Sequence, residues 1–247
     1  MKKAYILLIS AIMAISLSGC GAGNAQESNV NTEAEAGIAP EMSPEMEDLM
    51  SRAEDGDEDA LFDLAFMFAH IGHGDQAAYW FERIATQGDP DAQHNLAVLH
   101  HFGQGMAQDF EQAIYWYRQA AEQGNELSQT NLGLMYHFGQ GTDQDYEQAA
   151  YWYRQAAEQG NEYAQINLGA MYSEGHGVEQ DDEQAVYWYR SAAEQGHAMA
   201  QNNLGVMYRD GRGVEQSYEQ AAYWLQQSAD QGETLAQSNL ETLPATQ

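Results

Sequence analysis

Apolar residues recur at helical spacing along most of the chain, in short segments separated by glycine-containing turns. In the segment 163–198, the apolar stripe of a first helix consists of Ala164, Leu168, Met171 and Tyr172. A Gly-His-Gly turn at 175–177 interrupts this helix, and a second apolar stripe begins near Asp181 and includes Trp188. The pattern therefore predicts a hairpin of two helices in this segment.

The same pattern returns every 36 residues. All the tryptophans of the chain follow this interval, at Trp80, Trp116, Trp152, Trp188 and Trp224. The interval defines four full units, 91–126, 127–162, 163–198 and 199–234, with a shorter unit at 59–90 and a half unit at 235–247. One hairpin cannot bury its own apolar stripe, so we expect the units to stack and bury a continuous core.

The first 20 residues have the features of a bacterial lipoprotein signal. Lys2 and Lys3 precede a mostly apolar run, 4–17, that is too short to span a bilayer and is typical of a secretory signal. The segment Leu17-Ser18-Gly19-Cys20 resembles the bacterial lipobox, and Cys20 is the only cysteine. We predict that residues 1–19 are a signal peptide and that Cys20 carries lipid. An ordinary signal peptide with a chance cysteine is the alternative.

Two segments separate the signal from the repeats. Residues 20–42 are rich in Gly, Ala, Asn and Glu and lack apolar periodicity, so we predict a flexible tether. Ser43 and Pro44 then give a helix start, with Ser as N-cap and Pro at the first helical position. This start predicts an N-terminal capping helix within 43–58.

The 36-residue unit resembles the Sel-1-like repeat, a relative of the tetratricopeptide repeat. Its pattern is A-x-x-x-L-G-x-M-Y-x-x-G-x-G-V-x-x-D-x-x-x-A-x-x-W-Y-x-x-A-A-x-Q-G, and 163–198 matches every fixed position. The departures in the other units are small, and they include Ala97, Met106, Thr142, Ser217 and Leu225. The resemblance implies an all-α fold, a right-handed α-solenoid of helix hairpins, and a role as an adaptor or assembly scaffold.

The charge of the chain restricts its partners. Without residues 1–19 it has 38 acidic residues against seven arginines, and it has no lysine. Such a surface repels nucleic acid and anionic lipid head groups, so we predict no nucleic-acid partner and membrane contact only through lipid on Cys20. Solubility explains the acidity most simply, and a basic protein partner is the alternative explanation.

The residues needed for several common chemistries are missing. The absence of lysine beyond residue 3 excludes Ser-x-x-Lys, phosphate-loop and Schiff-base sites, and neither His-Glu-x-x-His nor Gly-x-Ser-x-Gly occurs. Some cysteine-rich members of the family carry a β-lactamase label, but their paired cysteines are missing here. We predict no catalytic residues and no cofactor, and we keep a hydrolase or a metal-dependent enzyme as the alternative.

Histidines give the remaining hint of chemistry. They crowd the first half of the array, at His70, His73, His94, His100, His101 and His137. Neutral imidazoles bind Zn²⁺, Ni²⁺ and Cu²⁺ well, but no tetrahedral set follows from this spacing. We therefore predict no metal site and interpret these histidines as isolated polar residues near the loops.

Positions that change from unit to unit are the best candidates for partner binding. On each first helix we place them on the face opposite the core stripe, which lines the concave groove in tetratricopeptide-like solenoids. The predicted groove residues are Phe62, Phe66, His94, Val98, His101, Thr130, Leu134, His137, Ile166, Ala170, Ser173, Asn202, Val206 and Arg209.

Taken together, these features predict a membrane-anchored scaffold or adaptor of the bacterial cell envelope that holds a protein or peptide partner in its groove. Gly21 rather than aspartate follows Cys20, which favours an outer membrane anchor with the protein facing the periplasm. A purely structural envelope module without a discrete partner is a further alternative.

Overall fold

The computed structural model describes residues 44–244, so the predicted signal peptide, Cys20 and the tether lie outside the described residues. Within 44–244 the chain forms twelve α-helices and no strand. The helices are α1 (Pro44–Glu54), α2 (Glu58–His70), α3 (Gly74–Ala85), α4 (Pro90–Phe102), α5 (Phe110–Glu122), α6 (Glu126–Phe138), α7 (Tyr146–Glu158), α8 (Glu162–Glu174), α9 (Asp182–Glu194), α10 (Ala198–Asp210), α11 (Tyr218–Asp230) and α12 (Thr234–Glu241).

The helices pair into hairpins that follow one another along the chain. Each helix packs mainly against the helix before it and the helix after it, so α2 to α11 form five hairpins in a row. Helix α1 packs on the first helix of the row, and α12 packs on the last hairpin. The predicted all-α solenoid of helix hairpins is confirmed.

Local side chains and glycines set the helix ends in each unit. The second helix α7 begins after Asp145, whose carboxylate accepts a hydrogen bond from the backbone N–H of Gln148 at 3.0 Å. The first helix α8 begins after Asn161, whose side chain accepts from the N–H of Ala164 at 3.0 Å. Gly175 ends α8 with a φ of 74°, a left-handed conformation that favours glycine.

Aromatic rings and small residues form the contacts within each hairpin. The rings of Tyr153 and Tyr189 lie buried against glycines of the preceding first helices. A Cβ atom at Gly169 would lie only 2.8 Å from the ring of Tyr189, so glycine is needed for this close approach. Trp188 belongs to an apolar cluster that includes Ala149 and Ala157 of the unit before it, and Trp224 packs against a cluster that includes Ala193 of the unit before it. The tryptophans therefore join successive units.

A second glycine in each turn brings successive units together. Gly177 has a φ of 67°, and a Cβ atom there would overlap the backbone carbonyl of Tyr146, the first residue of α7. The turn of one unit thus rests directly on the start of the second helix of the unit before it. No side chain fits between these two backbone segments.

A glutamine in each of the first helices α4, α6, α8 and α10 adds a hydrogen bond between units. Gln129 Nε2 donates to the carbonyl oxygen of Ala121 in the preceding unit at 3.0 Å, and Gln159 Nε2 donates to Gln129 Oε1 at 2.8 Å. The bond to the preceding unit recurs at Gln93, Gln165 and Gln201. The repeated glutamine is therefore a structural residue of the stack.

Candidate partner-binding face

The fourteen predicted groove residues divide into two sets by exposure. Seven are buried, namely His94, Val98, His101, Thr130, His137, Ile166 and Asn202. The other seven are half-buried, namely Phe62, Phe66, Leu134, Ala170, Ser173, Val206 and Arg209. A buried side chain cannot contact a partner unless the array opens, so the structure excludes the first set from a preformed binding surface.

The buried set lies between successive units. His94 Nδ1 in α4 and Ser128 Oγ in α6 are 2.8 Å apart and form a hydrogen bond. His101 Nε2 lies 3.3 Å from Gln140 Oε1 in the turn of the next unit. The predicted groove covered the whole side opposite the core stripe, and this was wrong because the following unit buries part of that side.

Several of the half-buried residues also have partners within the chain. Arg212 Nη2 donates to Ser173 Oγ at 3.1 Å, and Arg209 Nη1 donates to Asn239 Oδ1 in α12 at 3.0 Å. Phe66 stacks edge-on against Phe81 with ring centroids 5.2 Å apart. Ser173, Arg209 and Phe66 are thus partly engaged in packing.

Burial controls the charge of the histidines in these interfaces. It lowers the pKa of His94 to about 4, because the ring is enclosed and has no carboxylate beside it. Burial also lowers the pKa of His101, and the pKa of His137 is lowered by burial and by the neighbouring His176. Among residues 44–244, no group of three or more His, Cys, Asp or Glu side chains is placed to hold a metal ion.

The surface that stays open on the first helices is rotated from the predicted one. Leu134, Ala170 and Val206 belong to it. Residues three or four positions apart lie on the same face of an α-helix, so each of these residues shares its face with the residues at positions −7, −3 and +4 relative to it. We call this surface the open face. Its half-buried or exposed members are Leu127, Asn131, Leu134 and Phe138 in α6, Tyr163, Asn167, Ala170 and Glu174 in α8, and Met199, Asn203, Val206 and Asp210 in α10.

Most residues of the open face were not among the predicted groove residues. Asn131, Asn167 and Asn203 recur unchanged at the 36-residue interval, whereas the predicted groove residues were chosen from positions that change from unit to unit. They are nevertheless only half-buried. Phe138 is 39% exposed at the end of α6. A signal was available in the sequence, since Leu127, Tyr163 and Met199 differ between units at one repeated position.

The open face combines amide groups with apolar side chains. An amide both donates and accepts hydrogen bonds, so a row of asparagines suits the backbone of an extended peptide. The neighbouring apolar residues supply contacts that differ along the row, from Leu134 to Ala170 to Val206. This arrangement can bind a polypeptide, and it lacks the clustered acids, bases or nucleophiles of a catalytic site.

Comparison with known protein families identifies the repeat. The model of the Sel1 repeat matches five segments of the chain, residues 59–89, 90–125, 127–161, 162–197 and 198–233. A comparison with curated proteins finds no match.

Solved structures with the same architecture include two similar proteins. A protective antigen of uropathogenic Escherichia coli, described as displaying an SLR fold, is 40% identical with a TM-score of 0.74, and the match covers 79% of this chain and 43% of that one. A Sel1 repeat protein from Oxalobacter formigenes is 29% identical with a TM-score of 0.63, and the match covers 78% of this chain and 85% of that one. The chain therefore spans less than half the length of the Escherichia coli antigen.

Proposed function

Because the chain belongs to the Sel1 repeat family, we propose that it is a scaffold of the bacterial cell envelope that binds a protein partner on the open face. Sel1 repeat proteins generally mediate protein–protein interactions, and their fold is typically a non-enzymatic scaffold. The partner, the binding face and the location in the envelope are the parts that we propose here.

One observation carries the choice of surface. The positions that hold the units together repeat almost unchanged, as the tryptophans and the glutamines Gln93, Gln129, Gln165 and Gln201 do. The apolar positions of the open face change from unit to unit while staying accessible. Leu134, Ala170 and Val206 also pack in part against the core, and their remaining surface is open to a partner. An accessible row that varies from unit to unit favours recognition.

The proposed attachment to the membrane rests on the N-terminal sequence. The lipobox-like segment ending at Cys20 supports a lipid anchor, and Gly21 supports an outer membrane location facing the periplasm. Within residues 44–244, none of the helices has the length and apolar character needed to cross a bilayer. In this proposal the segment 20–42 links the anchor to the repeats.

A capture experiment tests the binding face. We expect the paired substitutions Leu134→Glu and Val206→Glu to reduce cross-linked partner recovered from envelopes at least about tenfold, since two buried charges at an apolar contact cost several kcal/mol. Val98 is unsuitable for this test because it is buried between units. The measurement is the yield of the cross-linked complex from cells that produce the full chain.

The control for this capture is Gln148→Glu, which adds a charge at an exposed position of a second helix. Circular dichroism melts of the variants verify that all remain folded. Full recovery of the partner by the paired variant would show that the open face does not bind it. Loss of the partner with Gln148→Glu, but not with the paired variant, would place the contact on the second helices.

The lipid anchor has its own test. Cells fed a palmitate analogue should label the wild-type chain and leave Cys20→Ser unlabelled, because Cys20 provides the only thiol. The labelled chain should fractionate with membranes and the variant should not. A wild-type chain that takes up no label would disprove the anchor and leave the proposed binding face unaffected.

A further inference from the structure

A second surface, on the opposite helices of the hairpins, carries a regular row of exposed tyrosines. The row consists of Tyr79, Tyr115, Tyr151, Tyr187 and Tyr223, which are 50–56% exposed and lie 36 residues apart. Each ring meets the edge of the tryptophan that follows it, as Tyr151 does with Trp152 at 4.9 Å between centroids. An aromatic side chain half open to water in every unit calls for an explanation, because packing does not require it.

A cleft lies beside this row between neighbouring second helices. Between α5 and α7 it has a volume of about 400 Å³, and Tyr151, Trp152, Gln155, Glu122 and Glu158 line it. Its other side is the last turn of α5, the end of the helix that carries the negative pole of the helix dipole. A cation in this cleft is favoured by the carboxylates of Glu122 and Glu158, by the aromatic rings of Tyr151 and Trp152 and by the C-terminal end of α5.

The first unit shows how a cation fits against this wall. The guanidinium carbon of Arg83 lies 5.2 Å from the centre of the Trp80 ring, within the range of a cation–π contact. The residues at the same place in the later units are Gln119, Gln155, Ser191 and Gln227. The first unit therefore has an arginine of its own against the tryptophan ring, and the equivalent residue in each of the four later units is uncharged.

The other charges of the described residues leave these clefts acidic. Arg154, three residues after Tyr151, is directed away, since its Nη2 donates to the hydroxyl of Tyr172 at 2.8 Å. No ion pair within residues 44–244 includes Glu122, Glu158 or Glu194. The same aromatic and acidic residue types return at 187–194, and at 223–230 with aspartate in place of the last glutamate.

We propose that these outer clefts bind the arginine or lysine side chains of an extended basic segment of a protein. Each cation lies against Tyr151, Tyr187 or Tyr223 and the tryptophan that follows it, between the carboxylates of two neighbouring units. At Tyr115 the preceding unit offers Thr86 in place of an acid, so that unit lacks one of the two carboxylates. Directly packed helices lie about 10 Å apart, and a cleft separates the second helices, so their spacing is at least this large. An extended chain advances about 3.3 Å per residue, so cations at least three residues apart match the row. The site lies on different helices from the open face, so either proposal can fail alone.

A synthetic peptide of repeated Arg-Gly-Gly units is the probe, and calorimetry at physiological ionic strength is the measurement. We expect it to bind the purified repeat-containing chain, and the combined substitution Tyr151→Ser, Tyr187→Ser and Tyr223→Ser to weaken binding tenfold or more, from about 0.5 to 1 kcal/mol for each cation–π contact. Tyr79→Ser is the matched control and should change nothing, because Arg83 already lies over the adjacent Trp80 ring and fills the place of the cation in that unit.

A variant that introduces an arginine into one of the clefts gives an independent test of peptide binding. Gln155→Arg copies Arg83 into the cleft and should weaken peptide binding about three- to fivefold by occupying one site. Equal binding by the wild-type and triple tyrosine variants would show unspecific attraction between opposite charges and overturn the proposal. Failure of the peptide to bind, or binding of neutral cellohexaose in its place, would overturn it as well.

Discussion

Replacing Gly177 with alanine is expected to destabilise the array by about 3 to 5 kcal/mol. The backbone φ of 67° costs a residue with a side chain about 1 to 2 kcal/mol. The new Cβ would also overlap the carbonyl group of Tyr146, and backbone at the start of a helix cannot rotate away as a side chain can. The turn and α7 must therefore separate, which loosens the packing between two units.

Gly160→Ala is the matched control for this prediction. Gly160 has a φ of 102°, so it carries a similar conformational cost, but no atom lies within 4 Å of the place its Cβ would take. We expect a loss of about 1 to 2 kcal/mol in the free energy of unfolding, measured by urea titration. Equal losses for the two variants would show that the close contact between units does not hold the stack together.

Lowering the pH from 7 to 4 is expected to remove about 3 kcal/mol of stability through His94 alone. Its pKa is about 4 in the folded chain and about 6.5 when unfolded. Between these values the unfolded chain binds a proton that the folded chain does not. Stability is therefore complete above pH 6.5 and falls as the pH approaches 4.

The variant His94→Asn isolates this contribution, since asparagine occupies the equivalent position at Asn202. Burial also lowers the pKa of His101 and His137, so both chains should lose stability in acid, and the difference between their losses measures His94. Urea titrations at a series of pH values should show the variant losing about 3 kcal/mol less. Parallel pH profiles would mean that His94 is accessible to protons in the folded state.

The fold could be predicted because every unit solves the same packing problem. Each unit needs a tryptophan, a glycine that lets two helices approach closely and a glutamine that bonds to the preceding unit, as at Trp152, Gly169 and Gln165. These residues therefore return at a fixed interval, which reveals the unit length and the pairing of the helices. The helix ends also have local causes, such as Asp145 before α7. These determinants lie within one unit or between adjacent ones.

The exposure of each first-helix residue could not be predicted in the same way. How far one first helix covers the next depends on the stacking angle between units, which no single unit encodes. His94 differs in type from Thr130, Ile166 and Asn202, and this variation suggested recognition. The structure shows that such a residue can vary together with its partner across an interface, as His94 does with Ser128.

The lipid anchor stays a prediction, because Cys20 lies outside the described residues.

Site-specific photo-cross-linking tests the central claim, partner binding on the open face, most directly. A photoreactive amino acid at Phe138, which is 39% exposed on the open face, is compared with the same residue at exposed Gln148 on a second helix. Our account expects a cross-linked protein partner from position 138 and none from position 148. Cross-links from position 148 with none from position 138 would contradict it.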